Sequence, residues 1–332
     1  MKFSLIICTY QRPKAVITLL KSVKEQTIYP FEILVIDGSI NNETNTILKH
    51  NFFKNLFYYK VKDLDRGLTK QRNFGISKLS KESKVVCFLD DDTVLSSTYF
   101  ENLVKTYTVY PEAVGVGGYI TNEVSWKQQT NAKCTKNQYC IDGFVRTEGM
   151  RFQIRKFFGL IDNTPPGFMP IYSHGRSISY LPPSDKIYPV EFFMGGVSSF
   201  KKELLDKIKF STYFEGYGLY EDLDFCLRAS EIGRLYINTA AKLSHYQEEA
   251  GRPNKFKYGK MVVRNGWYVW RVKYPKPTFK AKVLFHLNSI VLLKIRFLNS
   301  LYGTHKKEAF TEGLGRFVGW MSLFFNKPKQ NF

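Results

Sequence analysis

The chain has 332 residues, with 49 Lys+Arg against 29 Asp+Glu, five Cys, 44% apolar and 16% aromatic residues. That much apolar material excludes a disordered chain, which lacks the hydrophobicity to offset the entropy of folding. The length exceeds what one core usually supports, so one large domain or two small ones are expected.

The cysteines (Cys8, Cys87, Cys134, Cys140, Cys226) are odd in number and widely spread, which argues for a reduced intracellular protein over a secreted disulfide scaffold. Met1–Cys8 carries one basic residue and an apolar run too short for an export signal, so no cleaved leader is expected. Ser289–Leu301 is interrupted by Lys294 and Arg296 and falls short of the ~20 clean residues a membrane span requires. A soluble or peripheral protein follows. The formal charge of +20 is concentrated at one end: Arg252–Phe332 holds 17 basic residues and two acids (Glu308, Glu312), a net +15. A cationic segment rich in aromatics suits an anionic membrane surface or nucleic acid, and charge alone does not separate the two.

In chain order, Phe3–Cys8, Phe31–Ile36, Leu56–Val61 and Val85–Leu89 are short, nearly continuous apolar runs of the kind that form strands buried on both faces of a parallel sheet. Between them, Pro13 opens a helix with Val16, Leu19, Leu20 and Val23 on one face, and Leu68–Leu79 forms another. The alternation predicts a doubly wound α/β sheet, whose ligands bind beyond the carboxyl ends of the strands. From Thr121 to Tyr188 the pattern loosens, with Pro165-Pro166-Gly167, Pro170 and Pro182-Pro183, as expected of a long functional loop or lid. Order returns at Val190–Phe200, Leu204–Phe210 and a helix through Asp222–Glu231. Beyond Pro277, Phe310, Leu314, Phe317, Val318 and Met321 share one face of an amphipathic helix, with Lys306, Lys307, Glu312 and Arg316 elsewhere.

Each predicted strand ends in polar residues. Asp90-Asp91-Asp92 directly follows Val85–Leu89; three carboxylates at a strand mouth repel one another unless a cation neutralises them, and oxygen ligands favour Mg²⁺ or Mn²⁺. An acidic turn capping the next helix is the other reading. Asp37-Gly38-Ser39 reads as a turn by itself. Glu221, Asp222 and Asp224 stand at a helix start, where the macrodipole favours acids, but the preceding Gly216-Tyr217-Gly218 makes a flexible approach a plain cap does not need, and a carboxylate there can serve as a general base. His245 follows another strand-like run, either as a structural histidine or as a third metal ligand beside Asp92. Cys134 and Cys140, six apart, lack companions at zinc spacing.

Together, Thr9-Tyr10, Val35–Ser39, Gly67–Ile76, Phe88–Asp92 and Gly216–Asp222 resemble the family 2 glycosyltransferases, over about residues 2–250. The resemblance implies a GT-A type fold, a Rossmann-like, mostly parallel sheet flanked by helices, with an inverting mechanism. It divides the chain into a nucleotide-sugar-binding half (1–120), an acceptor-binding and catalytic half (121–250) and a basic helical C-terminal region (251–332). Carried over residue by residue, it implies that Asp37 reads the nucleobase and that Thr9 and Tyr10 line the base and ribose. Asp90, Asp91 and Arg72 lie on the nucleotide-sugar side, Asp92 and His245 hold Mn²⁺ or Mg²⁺, and Asp222 is the base. Gly195, Gly196 and Glu221 lie on the acceptor side. Lys201-Lys202 stand where many relatives carry arginine. The Gln-x-x-Arg-Trp motif of processive members is missing, which points to single-sugar addition. The implied partners are a nucleoside-diphosphate sugar and a glycan or lipid-linked acceptor, with no nucleic acid; the basic amphipathic C-terminus adds the expectation of an anionic membrane surface. The implied setting is the cytoplasmic face of the cell membrane, in bacterial surface-polysaccharide synthesis. A non-catalytic sugar- or membrane-binding protein of the same fold and a sugar nucleotidyltransferase are the alternatives.

Overall fold

Three of the four early apolar runs become strands buried on both sheet faces, with helical segments covering them; the third, Leu56–Lys60, departs from that expectation as a half-exposed edge strand with Phe57 49% exposed. A computed structural model describes residues 1–129, 134–214, 216–246 and 253–329. It begins β1 (Phe3–Thr9), α1 (Pro13–Lys24), β2 (Glu32–Asp37), α2 (Glu43–Lys49), β3 (Leu56–Lys60), α3 (Leu68–Ser77) and β4 (Val85–Asp90). Pro13 opens α1, whose Val16, Leu19, Leu20 and Val23 are buried as their spacing predicts. Then come β5 (Thr93–Leu95), α4 (Tyr99–Val109) and β6 (Ala113–Ile120), followed by β7 (Lys127–Gln128), β8 (Gln138–Ile141), β9 (Phe144–Thr147) and α5 (Met150–Phe157). The chain continues through β10 (Ile187–Val190), β11 (Val197–Lys201), α6 (Lys202–Lys207), α7 (Glu221–Ser230), β12 (Arg234–His245), α8 (Lys255–Lys273), α9 (Phe279–Tyr302) and α10 (Lys306–Phe325).

Contacts divide the chain into two units, Met1–Ser125 with Leu181–Gly251, and Trp126–Tyr180 with Arg252–Phe332. The first unit is built on a sheet that, among the described residues, has nine strands in the order β10-β12-β6-β11-β4-β1-β2-β3, with β5 on β12. β3, β2, β1 and β4 are parallel. β11 runs antiparallel between β4 and β6, and β12 lies parallel to β6. Chain order runs outward from β1 to β3 and then returns to β4 on the other side, so the switch point that favours a ligand crevice falls between β1 and β4. The register Thr9↔Asp37 and Cys8↔Asp90 brings three polar strand ends level there.

In the second unit, β7, β9 and β8 form an antiparallel sheet. The stretch from Thr121 to Tyr188 is therefore less irregular than its sequence suggests: it holds this small sheet and α5, elements too short for a periodicity to register. The expectation of an all-thiol chain is corrected here as well. A turn closed by Gln138 N–H on Thr135 O (3.0 Å) brings Cys134 and Cys140 to a Cα separation of 6.0 Å, and the two form a disulfide. Cys8, Cys87 and Cys226 are free. The helices of this unit pack through aromatics, with Phe285 stacked on Trp270 (4.7 Å) and edge-on to Trp267 (5.1 Å).

Candidate active site

Helix α3 ties the strand ends together before any ligand chemistry is considered. Gln71 donates to Thr9 O (3.1 Å) and Ile36 O (2.8 Å), anchoring β1 and β2 to one side chain. Asp37, which is fully buried, accepts from Ser39 N–H (2.7 Å) and Tyr58 O–H (2.8 Å). Ser39 in turn accepts from Gln11 N–H (2.7 Å), a residue in the left-handed region that turns the chain after Tyr10. Asp37 and Thr9 thus belong to one hydrogen-bonded loop cluster at the switch point, with Tyr10 next to Thr9 in the chain.

The acidic triplet splits its tasks. Asp91 turns inward, where Thr9 Oγ1 (2.6 Å) and Arg12 Nη1 (3.0 Å) donate to it, and burial pushes its carboxyl up to about 7 against the pull of those two partners. Asp90 and Asp92 converge with His245, at the end of β12, so that one ligand atom from each lies within 4.8 Å of the others. β12 arrives there because it pairs with β5, with His245 opposite Thr93. His245 Nε2 lies 3.1 Å from Asp92 and Nδ1 3.0 Å from Glu123. Burial opposes charge on this imidazole, but its hydrogen bonds to Asp92 and Glu123 outweigh burial and push its pKa to about 10. The donor set, two carboxylates and an imidazole oriented by a further carboxylate, fits a divalent cation of the Mg²⁺ or Mn²⁺ class, which would take the place of that proton.

Across the strand mouth stands a second charged group. Arg72 is buried against the rings of Phe88 (5.8 Å) and Phe210 (5.2 Å). It pairs closely with Glu221 and reaches Asp90 at 3.6 Å. Burial opposes its charge, but the two carboxylates outweigh burial and hold the guanidinium ionised. Glu221 and Asp222 open α7 after Tyr220, which takes a left-handed conformation between two positive-φ glycines upstream and the helix downstream. Asp222 accepts from Gly195 N–H (3.1 Å) and Leu223 N–H (2.8 Å); burial still raises its pKa above the ordinary Asp range. The adjacent glycines have a steric reason. A Cβ on Gly195 would lie 2.6 Å from both Arg72 Nη1 and Glu221 Oε1, and one on Gly196 would overlap the Asp90 carboxylate. Gly195-Gly196 therefore links Asp222 to the Asp90, Asp92, His245 cluster at contact distance. Burial pushes the Cys8 thiol up to about 12, which removes it as a nucleophile at neutral pH.

Residues 4–178 match the model of glycosyl transferase family 2. The chain belongs to that family. Among curated relatives of this glycosyltransferase, the glucosyl-dolichyl phosphate glucuronosyltransferase of Haloferax volcanii is 32% identical over 125 residues, 36% of this chain and 38% of that protein. The O-antigen chain rhamnosyltransferase RfbN of Salmonella typhimurium is 34% identical over 109 residues, covering 32% and 34%. The chondroitin synthase of Pasteurella multocida is 25% identical over 267 residues, covering 76% of this chain and 25% of that one. Each match thus spans well under half of the relative. A mannosyltransferase from Pyrobaculum calidifontis, solved with GDP-Man and Mn²⁺, shares the fold at a TM-score of 0.57 and 14% identity, over 98% of this chain and 88% of that one. The glycosyltransferase is thus an α/β protein of the GT-A type.

Sequence reading missed four residues of the cluster: Arg12, Tyr58, Gln71 and Glu123. Gln71 lies inside the Gly67–Ile76 motif but was given no role there, and Arg12 sits two residues after Tyr10; both could have been marked by position. Tyr58 and Glu123 carry no local signal, because their partners Asp37 and His245 lie 21 and 122 residues away.

Proposed function

We propose that this glycosyltransferase moves a single sugar from a nucleoside-diphosphate sugar to a hydroxyl of a glycan or lipid-linked acceptor, with inversion and with Mn²⁺ or Mg²⁺. Residues 1–120 serve the donor and 121–250 the acceptor. The observation that carries this reading is the placement of Asp222: a half-buried carboxylate held by two backbone N–H groups, joined through Gly195-Gly196 to the Asp90, Asp92, His245 cluster. The two ends of that cluster have opposite tasks. A cation held by Asp90, Asp92 and His245 would supply Lewis-acid stabilisation of the departing diphosphate. Asp222 takes the proton of the acceptor hydroxyl as its oxygen bonds to the anomeric carbon and the bond to the leaving phosphate breaks. One base and no covalent nucleophile give inversion in one step. Arg72 keeps Glu221 and Asp90 in place, and Asp37, Thr9 and Tyr10 receive the nucleoside. The relatives' names support a surface or extracellular glycan as product, and such an acceptor would be met at the cytoplasmic face of the membrane.

The test is diphosphate release from a panel of nucleotide sugars, with Mn²⁺ and with chelator. Asp222→Asn should lower turnover by ~10²–10⁴-fold while nucleotide affinity is kept. Release by Asp222→Asn at the wild-type rate with a donor the wild type uses would sink the assignment.

A further inference from the structure

We propose that the outward face of α10, with the lysines at its two ends, is a docking surface for an anionic lipid bilayer. A surface helix of a soluble protein turns its apolar stripe to the core and its polar face to water. Helix α10 does the reverse. The residues it buries are Ala309, Glu312, Gly313, Gly315, Gly319 and Leu323. Gly315 and Gly319 are there because α8 passes too close for side chains: a Cβ on Gly315 would collide with Phe256 O, and one on Gly319 would lie 3.0 Å from Lys260 O; Gly313 faces Phe297 of α9 instead. Close backbone approach through small residues is how helices associate without spending apolar side chains at their interface. At about 100° per residue, Phe310, Leu314, Phe317, Val318, Met321 and Phe325 fall on the opposite side of the helix. All six are exposed, from 37% at Met321 to 86% at Phe325.

This exposure is not scattered. Of 28 exposed large apolar side chains among the described residues, 18 belong to the second unit, so its surface departs from that of an ordinary soluble body. Charge selects the occupant. Exposed Lys306 and Lys307 precede the stripe and exposed Lys327 and Lys329 follow it, within a segment of net +15. A second copy of the chain would set that charge against itself, whereas anionic headgroups attract it. No described helix is long and apolar enough to cross a membrane. A helix with an apolar stripe edged by lysine instead lies in the plane of the interface, its phenylalanines at the level of the acyl boundary.

Lipid binding by this face needs neither donor nor cation, so it stands or falls separately from sugar transfer. The experiment is flotation of the full chain with vesicles of phosphatidylcholine alone and of phosphatidylcholine mixed with phosphatidylglycerol. Wild type should float with the mixed vesicles and bind the neutral ones at least about tenfold less tightly. Phe310→Ser/Phe317→Ser/Phe325→Ser should lose at least about tenfold in affinity for mixed vesicles with the chain still folded, since all three side chains are exposed and, among the described residues, only Phe310 keeps an edge contact, to Phe297 (5.8 Å). Phe317→Ser alone is the second variant should the triple variant misfold, and it should weaken binding in the same direction. Equal binding by wild type and variants, no binding to either vesicle, or a lipid-independent dimer that the variants abolish would each overturn the proposal.

Discussion

Replacing Arg72 with Met tests whether the charge cluster beneath the candidate base is a closed electrostatic unit. Arg72 and Glu221 are 2% and 3% exposed, and their ion pair is the main neutralisation Glu221 has. Burial pushes the Glu221 carboxyl up to about 8 even with Arg72 beside it, so removing Arg72 leaves it either stranded as a charge or forced to bind a proton, at a cost of up to about 3–5 kcal/mol. Asp90, 31% exposed at its side chain, can recover water and adds little. For the first unit, of roughly 200 residues, each kcal/mol lowers the melting temperature by about 2–4 °C, so Arg72→Met should unfold up to about 6–20 °C below wild type. The partner change decides the cause. Arg72→Met/Glu221→Gln removes the stranded charge and should recover at least half of the loss, whereas two independent packing defects would add. Thermal unfolding followed by circular dichroism at neutral pH gives both numbers. A single variant within about 1 kcal/mol of wild type, or a double variant as unstable as the sum of the singles, would refute the reasoning.

Glu123→Gln weakens the carboxylate that orients His245, and should reduce Mn²⁺ affinity ~10–100-fold in a calorimetric titration with nucleotide present; unchanged affinity would remove Glu123 from the cation site. Gly196→Ala drives a methyl group into the Asp90 carboxylate and should cost about 10²-fold in turnover with donor and Mn²⁺, because displacement of a reacting-site group by about 1 Å has that effect. Wild-type turnover would show that the carboxylate is free to move. Asp222 works as a base only when ionised, and burial raises its pKa, so turnover should rise with pH through a value above the ordinary carboxylate figure near ~4. An acid limb of kcat at or below ~4 would place the base elsewhere.

The local part of this protein was legible in its residues. Continuous apolar runs such as Val85–Leu89 are buried at every position, Pro13 starts α1, and the acids at the end of β4 lie on the strand mouth. Burial and capping act within a few residues, so sequence order alone expresses them. The candidate metal cluster was legible in its members, since alternation sets Asp90 and Asp92 on one side and His245 was expected beside Asp92; what carries His245 there is the pairing of β12 with β5, some 150 residues earlier in the chain. Tyr58 and Glu123 acquired roles through partners that no spacing announces. The face of α10 was readable as apolar, yet its direction was not. A stripe of phenylalanines would ordinarily be assigned to the core, and only the packing of Gly315 and Gly319 against the backbone of α8 turns it outward. Periodicity reports which side chains share a side of a helix; which side is covered depends on how closely its neighbours approach, and that is a property of the assembled fold.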